Sequence, residues 1–256
     1  MKSALRIALI VAVAIYLAAQ FREEKLSDWE LEATFPIAED LHHVQGIDVE
    51  GDQLWVSAVD RKTAKGFLYR IQLPSGKVQA SVEVQDGAKY HPGGLQLDGD
   101  SLWVPVAEYD RDGPANIERR NKQTLALEQR FTVNDHIGCV AATKDKIIGG
   151  SWSSRTVYTW SKEGKLLDQR PNPLPTAWQD LKMDGALLMG SGGLSRTEGA
   201  IDWVRLPDLT LVRQVRTGKT DRNVIFTNEG MTLRDGHLYL LPEDAPSRLF
   251  RFAAHE

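Results

Sequence analysis

Two stretches of the sequence, HVQGIDVEGDQLWVSAV at 43–59 and HPGGLQLDGDSLWVPVA at 91–107, follow one pattern. Each begins with a histidine, continues as a short alternating segment to a Gly-Asp pair, and resumes in a second segment that contains Leu-Trp-Val. Gly-Asp and Asp-Gly pairs suit the tight turns of hairpins because they adopt positive φ at little cost. The pattern therefore predicts a repeated β-hairpin.

The same order recurs three more times, with equivalents of the first histidine at His136, Ala177 and Thr227. Each hairpin is followed by a third predicted strand: GFLYRIQL, ANIERRN, TVYTWSK, AIDWVRL and RLFRF. In four units a fourth strand follows: VQASVEV, LEQRFTV, LLDQRPN and LVRQVRT. Four strands repeated every ~40–50 residues are typical of β-propeller blades.

The fifth unit reaches Glu256 without a fourth strand, whereas WELEATFPI at 29–37 is a strand that belongs to no unit. A closed ring hides the edges of its sheets, so the spare strand is expected to complete the last blade. We predict an all-β fold over residues 26–256: a five-bladed β-propeller of four-stranded antiparallel blades, closed by an N-terminal strand. Trp55 and Trp103 occupy the same place in two blades and are expected to pack between blades.

Residues 1–25 differ from the rest of the chain. Lys2 and Arg6 precede an apolar run from Ile7 to Ala19, which indicates a signal peptide. The run is shorter than the ~20 residues of a spanning helix, and an uncleaved anchor over residues 5–20 is the alternative. Basic residues before the run place the remainder of the chain outside the cytoplasm in either case. We expect an exported protein, periplasmic or extracellular, that meets the membrane only through this segment.

The composition excludes some classes of partner. The net charge is −4 without a clustered basic face, so nucleic acid is not an expected partner. Cys139 is the only cysteine, so no disulfide within the chain is possible. A small molecule is the expected ligand, and a monomer is sufficient for the fold.

Ligands of propellers usually bind on the face where loops lead into the inner strands, around the central channel. The predicted loops there are polar in all five units. We predict that the following side chains bind the ligand: His42, Gln45, Asp135, Gln179, Asp180 and Asn228.

Three of the six histidines, His43, His91 and His136, share one position of the repeat. Neutral imidazoles from neighbouring blades, with a carboxylate such as Glu229 or Glu108, would suit a divalent transition metal. Asp135 and Asp180 are then candidates to orient the rings. A metal-free pocket and hydrogen bonding between blades remain as alternatives.

The ends of the second strands form a second shared position, occupied by Asp60, Glu108, Ser153, Gly193 and Asp244. Glu108 follows the strand paired with His91, which makes it a candidate general base or metal ligand. Glu108 and Glu229 are the two candidates for the carboxyl group that moves a proton during catalysis.

The segments HVQGID, HPGGLQLDGDSLWVPVAEY and DHIGC resemble exported propeller proteins of a family of unknown function. This resemblance implies the propeller and supplies no activity. VQGIDVEGDQLWVSAV is also similar to the first blade of five-bladed glutaminyl cyclases, which implies that cyclisation is a candidate activity. Those enzymes carry a catalytic glutamate after this strand, where this chain has Ser57 and Ala58.

Two functions from different classes are therefore candidates. The first is a metal-dependent hydrolase or lactonase-like enzyme acting on a small polar substrate, with His43, His91 and His136 as ligands. The second is a non-catalytic propeller that binds a small molecule or a protein on the same face. Glutaminyl cyclase activity is disfavoured because the glutamate is missing.

Overall fold

The computed structural model of this chain describes residues 22–253. Most of the predicted signal or anchor segment therefore lies outside the described residues. Its last four residues, Arg22–Lys25, form a strand (β1), which is followed by a 3-10 turn at Leu26–Asp28 and by β2 (Leu31–Pro36). In the part of the chain that is described, no helix combines the length and apolar character needed to cross a membrane.

The rest of the described chain forms consecutive antiparallel sheets. The first blade consists of β3–β6: His43–Glu50, Gln53–Asp60, Lys65–Gln72 and Lys77–Glu83. The second has an inner strand in two pieces, β7 and β8, followed by β9–β11: Lys89–Pro92, Gln96–Asp98, Ser101–Glu108, Ala115–Asn121 and Leu127–Val133. The third consists of β12–β15: Ile137–Ala142, Lys146–Ser151, Thr156–Ser161 and Leu166–Pro171.

The fourth blade consists of β16–β19: Ala177–Asp184, Leu187–Gly193, Gly199–Arg205 and Thr210–Thr217. The fifth contains β20–β22: Gly230–Arg234, His237–Leu241 and Arg248–Ala253. Its fourth strand is β2, which runs antiparallel to β22. The predicted five-bladed propeller and its closure by an N-terminal strand are confirmed.

Strand β1 was not predicted. It pairs in parallel with β19 at the outer edge of the fourth blade. The guanidinium of Arg213 donates to both carboxylate oxygens of Glu24, at 2.9 and 3.0 Å. Leu26 and Trp29, next along the chain, are buried between the fourth and fifth blades. Residues 22–30 are thus part of the folded domain.

The apolar core lies between the blades. Within residues 22–253 there is one apolar cluster at each junction of neighbouring blades, including the junction of the fifth blade with the first. Trp55 lies at the junction of the first and second blades and donates from Nε1 to the carbonyl of Lys122 at 2.7 Å. Trp103 packs against the third blade. The expected role of these tryptophans in packing between blades is confirmed.

Buried polar side chains fill the channel beneath its mouth. Asp48 of the first blade accepts hydrogen bonds from the backbone N–H of Leu97 and from the hydroxyl of Thr232, both at 2.8 Å. Gln96 of the second blade accepts from the backbone N–H of Met183 at 2.9 Å. These bonds join strands of different blades, so buried polar contacts link the blades within the channel.

Candidate functional site

A cavity of about 190 Å³ lies at the channel mouth, and all five blades contribute to its wall. The volume equals roughly six water molecules at ~30 Å³ each, which suits a small molecule. Its lining residues are His43, Gln45, Arg61, His91, Tyr109, His136, Gly138, Trp152, Ser153, Gln179, Glu229 and Glu243.

His91 is held as a single tautomer. The amide of Gln45 donates from Nε2 to the carbonyl of Val44 at 3.0 Å, which turns its Oε1 toward Nε2 of His91 at 2.9 Å. Because an amide oxygen only accepts, Nε2 of His91 carries the proton. Nδ1 then holds a free electron pair, and it is buried with no hydrogen-bond partner among the described residues. Burial lowers the pKa of His91 to about 3, so the ring is neutral near pH 7.

His136 presents a second free ring nitrogen. Its Nδ1 donates to the backbone carbonyl of Asp110 at 2.8 Å, which leaves Nε2 unprotonated in the neutral ring. Burial lowers the pKa of His136, and the carbonyls of Asp110 and Glu108 partly offset this effect. The ring stands edge-on to Trp152 with centroids 4.6 Å apart. His91 lies 4.5 Å from Tyr109 between ring centroids, so this wall of the cavity is aromatic.

Another part of the cavity wall is charged. Nε2 of His43 lies 3.8 Å from Oε1 of Glu229. Nδ1 lies 2.7 Å from Oε1 of Glu243, but off the line of a ring N–H. Burial, reinforced by the charge of Glu243, raises the pKa of Glu229 well above its ordinary range. The neighbouring ring of His43 lowers the pKa of Glu243. A guanidinium nitrogen of Arg61 contacts Nε2 of His43.

Glycines in the inner strands bring the blades close together at the mouth. The backbone N–H of Gly94 donates to the carbonyl of Gly138 in the next blade at 2.9 Å. A Cβ at position 94 would lie only 2.6 Å from Oδ1 of Asp180 and 2.7 Å from Cβ of Cys139. The Gly-Gly pair of the HPGG segment is therefore explained by the contact between blades, while its histidine lines the cavity.

β-Bulges turn two predicted glutamines into the cavity. The pairing register shifts by one residue at Gln45 in the first blade, at Gly138 in the third and at Gln179 in the fourth. A bulge inserts an unpaired residue and redirects its side chain. All three bulged residues line the cavity, so the bulge is a repeated feature of the mouth.

Six predicted site residues line this cavity: His43, Gln45, His91, His136, Gln179 and Glu229. The other predicted residues lie elsewhere. His42 is exposed and stacks on Phe67 with ring centroids 5.5 Å apart. Neither Asn228 nor the carboxyl group of Glu108 borders the cavity.

The two predicted aspartates serve the scaffold. Oδ2 of Asp180 accepts from the backbone N–H groups of Ile47 and Met231, both at 3.1 Å, and Asp180 is fully buried in the channel. Asp135 accepts from the hydroxyl of Tyr158 at 2.7 Å. Neither carboxylate accepts a hydrogen bond from a histidine ring. The orienting groups are instead the side chain of Gln45 and the carbonyl of Asp110.

The three predicted imidazole ligands do not converge on one point. Among residues 22–253, one group of potential metal ligands has its ligand atoms within 4.8 Å of one another, and it consists of His43, Glu229 and Glu243. His91 and His136 lie on the aromatic wall. A shared repeat position places the three histidines on one face of the propeller. Each imidazole nevertheless contacts a different neighbour.

Four cavity residues were not predicted from the sequence: Arg61, Tyr109, Trp152 and Glu243. All four are sequence neighbours of the second shared position. Asp60 caps a turn by accepting from the hydroxyl of Thr63 at 2.6 Å, and Asp244 accepts from Arg222 at 2.9 Å. Arg61 and Tyr109 follow this position by one residue, whereas Trp152 and Glu243 precede it by one, so no single shift along the repeat unit would have identified the set.

Residues 7–215 match the model of a family of unknown function, DUF6454. The chain belongs to this family. This confirms the predicted resemblance to a propeller family without an assigned activity. The match includes most of the cavity wall and ends in β19, so Glu229 and Glu243 lie beyond it.

One similar solved structure is that of BamB from Moraxella catarrhalis, with a TM-score of 0.46 and 10% sequence identity. The alignment covers 88% of this chain and 62% of that chain. This chain therefore spans less than two thirds of the length of that structure. Comparison with curated proteins gave no match.

The resemblance to glutaminyl cyclases would place a glutamate at Ser57 or Ala58, but the hydroxyl of Ser57 is buried and donates to the carbonyl of Gly93 at 2.7 Å. It joins the first blade to the second. Ala58 is likewise fully buried. This position thus supplies packing and offers no carboxylate to the cavity.

Proposed function

We propose that the protein is a hydrolase of the lactonase or esterase kind, which binds a small polar molecule at the channel mouth. One observation carries the proposal: His91 is a neutral imidazole of fixed tautomer whose free Nδ1 is buried at the cavity. Buried acceptors are normally paired, so a free one at a cavity favours a ligand or water with a hydrogen-bond donor.

The role that suits His91 is to orient the attacking water or hydroxyl group. A ring of such low pKa stays neutral near pH 7, so the electron pair on Nδ1 is available, although it is a weak base. A group that orients a nucleophile contributes to catalysis even when that group does not accept a proton. The aromatic wall formed by Tyr109 and Trp152 offers apolar surface for the body of the substrate.

The test is hydrolysis of a panel of small lactones and carboxylic esters by the full chain and by His91→Gln. Glutamine keeps an N–H donor for Gln45 and removes the imidazole Nδ1, the nitrogen that carries the free electron pair. We expect turnover by the wild type and a loss of at least ~100-fold in kcat/KM in the variant. His237→Gln is the matched control, because His237 lies outside the cavity and pairs with Glu32 at 3.2 Å.

Imidazole ¹⁵N NMR supplies an independent readout. We expect His91 to be protonated on Nε2 alone at pH 7. A charged His91 at pH 7, or tight binding of panel compounds by the wild type without turnover, would contradict the proposal. The second outcome would identify a non-catalytic binding propeller.

A further inference from the structure

We infer that His43, Glu229 and Glu243 form a binding site for a divalent transition metal of the zinc class. Their ligand atoms lie within 4.8 Å of one another. Zinc bonds to nitrogen and oxygen measure ~2.0–2.2 Å, which puts ligand atoms about 3–4 Å apart around one ion. The three groups therefore need to close by only about 1 Å. This inference goes beyond the proposed function, since metal binding is measured without a substrate.

Glu229 is the strongest indication that a ligand belongs here. Its side chain is 8% exposed, and no residue between 22 and 253 donates a hydrogen bond to it. Nε2 of His43 lies 3.8 Å from its Oε1. A buried carboxylate without a partner is costly, whereas coordination of a cation would satisfy it.

Arg61 is the only lysine or arginine among the described residues that line the cavity. It is an exposed residue, and its guanidinium lies 5.7 Å from the ring centroid of Tyr109. It contacts the ring nitrogen of His43 that faces Glu229. A metal ion would compete with this cation for the same ring and carboxylates, so Arg61 opposes metal binding by charge and by position.

The scaffold beneath His43 and Glu229 is rigid. Oδ2 of Asp180 accepts from Ile47 of β3 and from Met231 of β20, which joins the strand that carries His43 to the strand that directly follows Glu229. A Cβ at Gly230 would lie 2.7 Å from Cγ2 of Ile47, so glycine permits this close approach. The ligands from the first and fifth blades are thus held together before any ion binds.

The donor set fits a transition metal better than calcium. Imidazole suits zinc and iron, whereas calcium takes six to eight oxygen ligands. Three protein ligands leave coordination positions open, which is typical of catalytic rather than structural zinc sites. A bound metal would supply a Lewis acid at the cavity.

The test is calorimetric titration of Zn²⁺ into the full chain after dialysis against a chelator. We expect one ion per chain, and at least tenfold weaker binding in His43→Asn, Glu229→Gln and Glu243→Gln. Arg61→Gln should bind several-fold more tightly, because it removes the competing charge. Glu108→Gln and His237→Gln are matched controls outside the cavity and should bind as the wild type does. Circular dichroism and melting curves establish that each variant is folded.

Substoichiometric binding, binding unaffected by the three ligand substitutions, or equal affinity for Ca²⁺ would overturn the inference. Arg61 is exposed and is not a proposed ligand. The expected gain in affinity of Arg61→Gln therefore tests the inference even if substitution of the buried ligands prevents folding. The two proposals fail separately. His91→Gln should still bind Zn²⁺, and hydrolysis by chelator-treated protein would leave the proposed function intact even if calorimetry detects no Zn²⁺ binding.

Discussion

Three histidines at one repeat position have three chemical environments. His43 lies between two carboxylates. The ring of His91 bonds to an amide oxygen, and that of His136 to a backbone carbonyl. The difference arises from the side chain or backbone group that the neighbouring blade, bulge or loop brings to each ring. At the scale of the residue, identity alone therefore does not decide between a metal ligand and a hydrogen-bond acceptor.

The low pKa of His91 makes part of the stability dependent on pH. Unfolded histidine has a pKa of ~6.5, whereas the folded value is about 3. Below pH 6.5 the unfolded chain therefore binds a proton that the folded chain excludes, and the free energy of unfolding falls. Between pH 7 and pH 5 this effect is about 2 kcal/mol.

We expect His91→Gln to lose less stability than the wild type over this interval, as measured by urea denaturation at both pH values. His237→Gln should keep the wild-type dependence. Equal losses in the wild type and His91→Gln would show that His91 is not the group responsible.

At the scale of the element, the N-terminal strands complete two blades. β2 covers the edge of β22, and its inward side chains alternate with exposed ones. β1 adds a parallel strand to the fourth blade, and Trp29 is buried beside Trp203. Uncovered strand edges promote association between chains, so these strands protect the sheets at the ring closure as well as stabilising them.

Removal of these strands should therefore be severe. We expect a chain beginning at residue 22 to melt cooperatively, and a chain beginning at residue 37 to melt at a much lower temperature or to aggregate. Loss of buried Trp29 alone corresponds to ~3–5 kcal/mol. Equal melting temperatures for the two chains would contradict the assigned role of β1 and β2.

At the scale of the whole molecule, polar contacts across the channel hold the ring together. Asp48 joins the first blade to Leu97 of the second and to Thr232 and Arg234 of the fifth. Since the cavity wall is shared among five blades, its geometry depends on this alignment. The buried polar core therefore supports the site without touching it.

We expect Asp48→Ala to lower the free energy of unfolding by about 3 kcal/mol, because it leaves buried donors without acceptors. Asp48→Asn keeps an acceptor and should cost less. Asp100→Ala is the control, since the Asp100 side chain is 99% exposed. Chemical denaturation measures all three, and an Asp48→Ala protein as stable as the control would refute this account.

The sequence by itself determined the five-bladed ring, its closing strand and the face that carries the cavity. It could do so because strand alternation, turn residues and a repeat are local properties, so equivalent positions such as His91 and His136 return to the same face. Only the tertiary structure decided which side chains meet. Bulges at Gln45 and Gln179 turn these side chains into the cavity. Closure of the propeller brings Glu229 beside His43 from the other end of the sequence. These arrangements depend on contacts between blades, which no repeat unit contains within itself.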